Sequence, residues 1–481
     1  MQFNSYEFII YFLPICLVLY YLANKVSETV GKMILIISSI IFYSLGRISM
    51  LIYLGVSVLI NYIFAYVIQK TGVKNKWVKA LPILINISLL LYFKYLNFAI
   101  ENMNLLFGFE WELREIILPL GISFYTFQQI AYLVAIEREE ISSNIVDYLT
   151  YILYFPKLIM GPIVDPAVFY LQINDSTKKK VNVTNIVIGI KLLSYGLVKK
   201  VLLADTFSRA VAWVYDNLNE ATAMDCMLLA LFYTFEIYFD FSGYSDMAIG
   251  ISTMFNIDLP MNFDSPYKAI SIRDFWKRWH ISLTKFMTKY IYIPLGGSRK
   301  GIVFTYVNVM IVFLISGLWH GANWTFILWG LLHGLFSCCD RLFDKLEEKV
   351  FMPVRWLCSF GVISVLWLLF GSATVGEWKS VLYKILHMKD TSVSEGLIAS
   401  FYLPESQFIY DVLHLDYLPT DIRGFNMLVF ILIACLICFV PENNYRNKEK
   451  LNIFSMLLAS LAFAWGILCL GTETTFVYYW F

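Results

Sequence analysis

Two histidines stand where an apolar chain has most difficulty placing a base. His280 closes Arg273-Asp274-Phe275-Trp276-Lys277-Arg278-Trp279-His280, and His320 lies in Gly317-Leu318-Trp319-His320-Gly321-Ala322-Asn323-Trp324, inside a long apolar stretch. Ionisable side chains at membrane depth are costly, so they mark a site by default. Imidazole titrates near neutrality and can take and return a proton within one reaction. As a general base His320 would deprotonate an attacking hydroxyl, an effect typically worth roughly 10²–10⁴-fold. Trp319 and Trp324 would wall its cavity against water, and Asn323 would donate a hydrogen bond to the ring or to a developing oxyanion. Gly317 and Gly321 allow close approach of a helix or substrate. On these residues alone, a base and a histidine bonded between helices are equal readings. His280 either helps organise the site and guide a donor or packs on an interfacial helix.

The elements that must carry these residues are membrane helices. The chain has 481 residues, 59% of them hydrophobic and 15% charged, against about 45–50% and about 25% in soluble domains. Apolar runs of the length that crosses a hydrocarbon core recur at 7–23, 33–46, 49–69, 80–99, 116–136, 145–165, 185–204, 225–252, 302–337, 355–371, 425–440 and 452–471. The first has no basic flank or small-residue cleavage site and reads as a retained helix. Phe155-Pro156-Lys157-Leu158-Ile159-Met160-Gly161-Pro162 interrupts one run and Leu118-Pro119-Leu120-Gly121 opens another. Proline stops helices, so half-length or re-entrant helices around a cavity are expected.

Lysine and arginine set the orientation. The loop 70–79 carries four lysines and reads as cytoplasmic, the acidic 101–115 as external. The longest non-membrane stretch, 372–424, is then extracytoplasmic, and 472–481 faces outward. In 273–300 basic and aromatic residues interleave, the pattern of one amphipathic helix at the cytoplasmic interface. Its Lys277, Arg278, Lys285, Arg299 and Lys300 suit phosphate and equally suit positive-inside topology.

The net charge of +1 argues against a nucleic-acid partner. Eight cysteines without zinc spacing read as buried small hydrophobes rather than metal ligands. No serine elbow, P-loop or dinucleotide loop is present. With no internal repeat, 1–481 reads as a single membrane domain.

Four words together are specific: Pro119-Leu120-Gly121-Ile122-Ser123-Phe124 with Thr126-Phe127-Gln128-Gln129; Phe239-Asp240-Phe241-Ser242-Gly243-Tyr244-Ser245-Asp246; the run from Phe275 through His280 to Tyr292-Ile293-Pro294-Leu295-Gly296-Gly297-Ser298-Arg299; and Leu318-Trp319-His320-Gly321-Ala322-Asn323-Trp324. In order and spacing the chain resembles the membrane-bound O-acyltransferase (MBOAT) family, in the branch that acetylates alginate and other exopolysaccharides. Ala135 and Glu236 stand where that branch usually has Asp and Gln.

The resemblance implies an all-α polytopic integral membrane protein, a ring of about 11–13 transmembrane and re-entrant helices around a central funnel. It implies a multi-pass enzyme of the bacterial cytoplasmic membrane with His320 catalytic and His280 its companion. Trp276, Arg278, Trp279, Trp319, Asn323 and Trp324 would contact substrate or donor. No cofactor is implied beyond an acyl thioester, acetyl-CoA or an acyl carrier protein. The acceptor would be an extracytoplasmic polysaccharide, and the partner a secreted or periplasmic SGNH-type acetyltransferase. The ending Phe476-Val477-Tyr478-Tyr479-Trp480-Phe481 is similar to a motif in which a tyrosine carries the acyl group. Tyr478 is thus a candidate relay, with an aromatic interfacial anchor as the alternative. The rivals are D-alanyl transfer to teichoic acid and, from another class, a transporter.

Overall fold

The computed structural model describes residues 1–45, 48–71, 76–344, 349–414, 422–470 and 476; it is helical, with no strand among these. Its α-helices are α1 (Leu13–Val26), α2 (Glu28–Ser44), α3 (Ile48–Thr71), α4 (Lys76–Phe107), α5 (Ile122–Glu137), α6 (Ile145–Leu153), α7 (Phe155–Leu158), α8 (Pro166–Ile173), α9 (Val183–Val198), α10 (Asp205–Asp216) and α11 (Ala223–Met254). There follow α12 (Ile272–Arg278), α13 (Ile281–Met287), α14 (Ile302–His320), α15 (Trp324–Leu342), α16 (Met352–Gly371), α17 (Val375–His387), α18 (Glu395–Ala399), α19 (Pro404–Val412), α20 (Ile422–Phe439) and α21 (Ile453–Leu468). Among the described residues seven helical segments are long and apolar enough to cross a membrane: Glu7–Val26, Ile48–Thr71, Trp77–Phe107, Ala223–Met254, Ile302–His320, Met352–Gly371 and Ile422–Phe439. The stretch 372–424 contributes the short helices α17–α19.

The chain forms two compact units. The first comprises Met1–Gly196, Tyr244–Met261 and Lys448–Leu470. Here the proline-interrupted run 145–165 becomes two short helices, α6 and α7, and a third, α8, follows at once. Asn144 caps α6 by accepting from the Val146 amide at 2.9 Å, and Asp165 caps α8 ahead of Pro166, as side-chain acceptors do at helix starts. The broken segment is seated by side chains. Tyr148 donates to the Val58 carbonyl at 3.1 Å, the Phe155 amide to Ser39 at 3.1 Å, and Lys32 pairs with Asp147 at 2.6 Å. Lys157 is fully buried, hydrogen-bonded to Gln128 with its ammonium 3.9 Å from the Tyr151 ring centre.

The second unit comprises Leu197–Gly243, Asn262–Asn447 and Gly471–Phe481 and holds both histidine motifs. Two sequence expectations change here. The run 302–337 is a hairpin of two helices, because the chain turns extended at Gly321 and Asn323 then caps α15. The region 273–300 is not one interfacial helix. It breaks at His280, whose backbone lies in the left-handed region (φ 44°, ψ 51°), a conformation that costs a non-glycine residue roughly 1–2 kcal/mol. Its tryptophans are interior: Trp276 and Trp279 are 8% and 1% exposed.

Candidate active site

His280 sits between α12 and α13, wholly buried. Asn262 holds the break in place: its carbonyl accepts the Ile281 amide at 3.0 Å, and its Oδ1 accepts the Ser282 amide at 3.1 Å. The same Oδ1 lies 3.4 Å from His280 Nδ1. An amide oxygen only accepts, so Nδ1 carries the proton and the neutral ring keeps its basic lone pair at Nε2. Phe241 packs on the ring at 4.8 Å between centroids.

His320 is the last residue of α14, buried to 3% exposure. Three rings meet its imidazole edge-on: Trp319 at 4.9 Å, Trp329 at 5.2 Å and Phe370 at 5.2 Å. Forty residues apart in sequence, the two histidines share Trp319, whose ring lies 6.1 Å from His280. Such a shell strengthens electrostatic interactions at the imidazole by excluding water.

A cavity of about 320 Å³ is lined among others by Arg273, Trp276, Lys277, Ser316, Ser337 and Arg341; its Trp276 meets the shell at Trp329, 5.7 Å between ring centroids, and neither His280 nor His320 is a lining residue. Val309, Phe313 and Ser316 line it from α14, and the 3.6-residue period carries that face on to His320 one turn later. The mouth is basic. Arg273 is tied by its backbone amide to Asp340 at 2.9 Å and by its guanidinium to Asp344.

Several expected site residues take other parts. Asn323 does not reach the ring of His320: Oδ1 accepts the Thr325 amide at 3.0 Å and Nδ2 donates to the Ala373 carbonyl at 2.9 Å. Trp324 is 56% exposed and is not among the residues lining the cavity; the ring that meets His320 from α15 is Trp329. Arg278 is paired with Asp274 at 2.9 Å within its own helix, and Lys277, not Arg278, lines the cavity. Trp276 lines the cavity, and Trp279 packs inside the unit against Trp367 at 4.8 Å. Asp240 pairs with Lys200 at 2.7 Å, which also holds Asp205 at 2.8 Å. Phe476 is buried with its ring 4.4 Å from that lysine's ammonium; Tyr478 lies outside the described residues. Among the described residues no cluster of metal-ligating side chains occurs.

Sequence reading missed His333. It is wholly buried on α15, accepts the Trp276 indole N–H on Nδ1 at 3.2 Å and packs on Trp329 at 4.7 Å. The available signal was the spacing Trp329-x-x-x-His333, which puts both on one helix face.

Residues 138–375 match the family model described as MBOAT, membrane-bound O-acyltransferase family. The chain is 34% identical to a peptidoglycan O-acetyltransferase of Helicobacter pylori over 518 aligned residues, covering 99% of this chain and 97% of that one. It is 38% identical to a probable alginate O-acetylase AlgI of Pseudomonas aeruginosa, over 77% of this chain and 72% of that one. A teichoic acid D-alanyltransferase of Bacillus subtilis is 25% identical over 50% of this chain and 62% of its own length.

Proposed function

The chain belongs to the membrane-bound O-acyltransferase family, and from that premise we propose that it moves acetyl groups from a cytoplasmic thioester to hydroxyls of an extracytoplasmic envelope polysaccharide. It is a multi-pass membrane acyltransferase; acetyl as the cargo, the thioester as donor and His320 as base are the finer reading. The observation that carries this reading is the end-to-end similarity to an O-acetyltransferase of peptidoglycan, compared with half-length similarity to the D-alanyl enzymes.

In the step envisaged, the acceptor hydroxyl oxygen attacks the thioester carbonyl while His320 takes its proton. The C–O bond forms, the C–S bond breaks, and the proton passes to the leaving thiolate. An imidazole enclosed by Trp319, Trp329 and Phe370 suits this work, since water that would hydrolyse the thioester is kept out. Lys277 and Arg341 at the cavity suit the phosphates of coenzyme A or of a carrier-bound phosphopantetheine. A secreted SGNH-type acetyltransferase is the fitting partner for the last transfer to polymer, and Tyr478 a candidate relay towards it.

The test is complementation of a strain lacking the chromosomal copy, reading acetate released by mild alkali from envelope polysaccharide. His320→Ala should reduce acetylation to that of the empty strain with normal protein in the membrane; acetylation persisting in that variant refutes the base.

A further inference from the structure

We propose that His333 is a positioning residue for the reaction at His320, acting through two tryptophans; this rests on the reading of His320 as base. The geometry forms one connected path. Trp276, on α12, lines the cavity and donates its indole N–H to His333 Nδ1 at 3.2 Å. The His333 ring packs at 71° on Trp329, centroids 4.7 Å apart. Trp329 in turn meets His320 edge-on at 5.2 Å. The wall of the cavity and the base are thus joined by a single hydrogen bond and two ring contacts.

The residue types are those such a path requires. An indole N–H is a donor only, and leaving it unpaired in the interior costs about 1–3 kcal/mol. A phenylalanine at 333 would preserve the ring contacts but strand that donor. Histidine supplies ring and acceptor together. Accepting on Nδ1 puts the neutral ring's proton on Nε2, which has no hydrogen-bond partner among the described residues, so the orientation of the ring rests on the bond from Trp276. Trp329 and His333 are one turn apart on α15 and share a face, so fixing one ring fixes the angle of the other. Trp329 has no exposure and is further boxed by Trp276 at 5.7 Å, Trp367 at 5.8 Å and Phe370 at 5.2 Å. The indole is thus held by rings on several sides, and the imidazole of His320 rests against it at 5.2 Å. A misplacement of about 1 Å can cost about 10²-fold in rate.

The experiment uses the full chain in complemented cells and reads acetyl groups delivered to envelope polysaccharide per molecule of folded protein. Folded protein is quantified by thermal unfolding in detergent extracts of the same membranes. His333→Phe should lower this rate by about tenfold or more, equal to about 1.4 kcal/mol of barrier. Trp276→Phe should do the same, and the double variant should be no slower than either single, the signature of a shared interaction. His333→Asn, whose side-chain oxygen stands close to the place of Nδ1, should recover a large part of the rate. A wild-type rate per folded molecule in His333→Phe, or no recovery in His333→Asn, overturns the inference. Those results beside an inactive His320→Ala sink it alone; full activity in His320→Ala sinks the base reading and this inference together.

Discussion

Gly317 and Gly330 meet face to face where α14 crosses α15: a Cβ added to either would lie 3.2 Å from the other's Cα. The same Cβ atoms would come within 2.3 Å of the Phe326 carbonyl and 2.4 Å of the Phe313 carbonyl. Small residues let membrane helices approach this closely, and the crossing lies within one turn of His320. Replacing Gly330 by Ala should therefore destabilise the protein by about 1–3 kcal/mol through overpacking and lower acetyl transfer as well. Gly55→Ala is the control, with open space around its new Cβ; it should be neutral or stabilising by up to about 1 kcal/mol. Thermal unfolding in detergent separates the two, and equal midpoints would contradict the crossing.

Asn323 and Trp329 should exchange the importance their positions in sequence suggest. Asn323→Ala loses the α15 cap and should cost about 1 kcal/mol of stability, with the rate per folded molecule unchanged. Trp329→Ala removes a wholly buried ring beside His320 and should cost about 3–5 kcal/mol together with most of the activity. A large rate loss in Asn323→Ala with normal stability would restore it as a participant in the chemistry.

The two histidine words were legible because they set ionisable residues among tryptophans in an apolar chain. His320, Trp319 and Trp276 lie where such words suggest, and the two glycines serve close packing. What sequence hides is helix phase. Trp319 and Trp324 look like a matched pair five residues apart, yet the extended turn at Gly321 places them on different helices, one buried and one outward. A periodicity reading of 273–300 assumes continuous helix, and the left-handed backbone at His280 ends it. His333 went unseen because nothing polar flanks it; its donor, Trp276, is fifty-seven residues away in sequence.

The buried Lys200 holds two carboxylates, Asp205 and Asp240, in a nearly closed pocket. Removing one member of such a group strands charge in the interior, at a typical cost of about 3–5 kcal/mol. Lys200→Met should show the full loss as reduced yield and a lower unfolding midpoint, whereas Lys200→Met combined with Asp205→Asn and Asp240→Asn should regain much of it. No recovery in the triple variant would show that the lysine acts by something other than charge balance.

Asp225 ties a loop to the start of α11: its carboxylate accepts the Ser394 amide at 3.0 Å, the Ser394 hydroxyl at 2.6 Å and the Thr222 amide at 3.0 Å. Asp225→Ala should lower stability by about 2 kcal/mol or more, since it orphans several donors at once, while leaving the rate of the folded fraction intact. Limited proteolysis near residues 390–394 reads the effect directly; unchanged cutting there would discount the tether.

The helices α6, α7 and α8 have 9, 4 and 8 residues, and at 1.5 Å per residue none extends half of a core about 30 Å thick. No insertion machinery that tests one segment at a time can accept them on their own merits. Their seats on Ser39 and Val58 exist once the amino-terminal helices are made, but Tyr154 finds Ser252 only after almost a hundred further residues have been synthesised. The interrupted segment 145–173 must therefore wait, partly housed, for a later helix to finish its lodging during biogenesis.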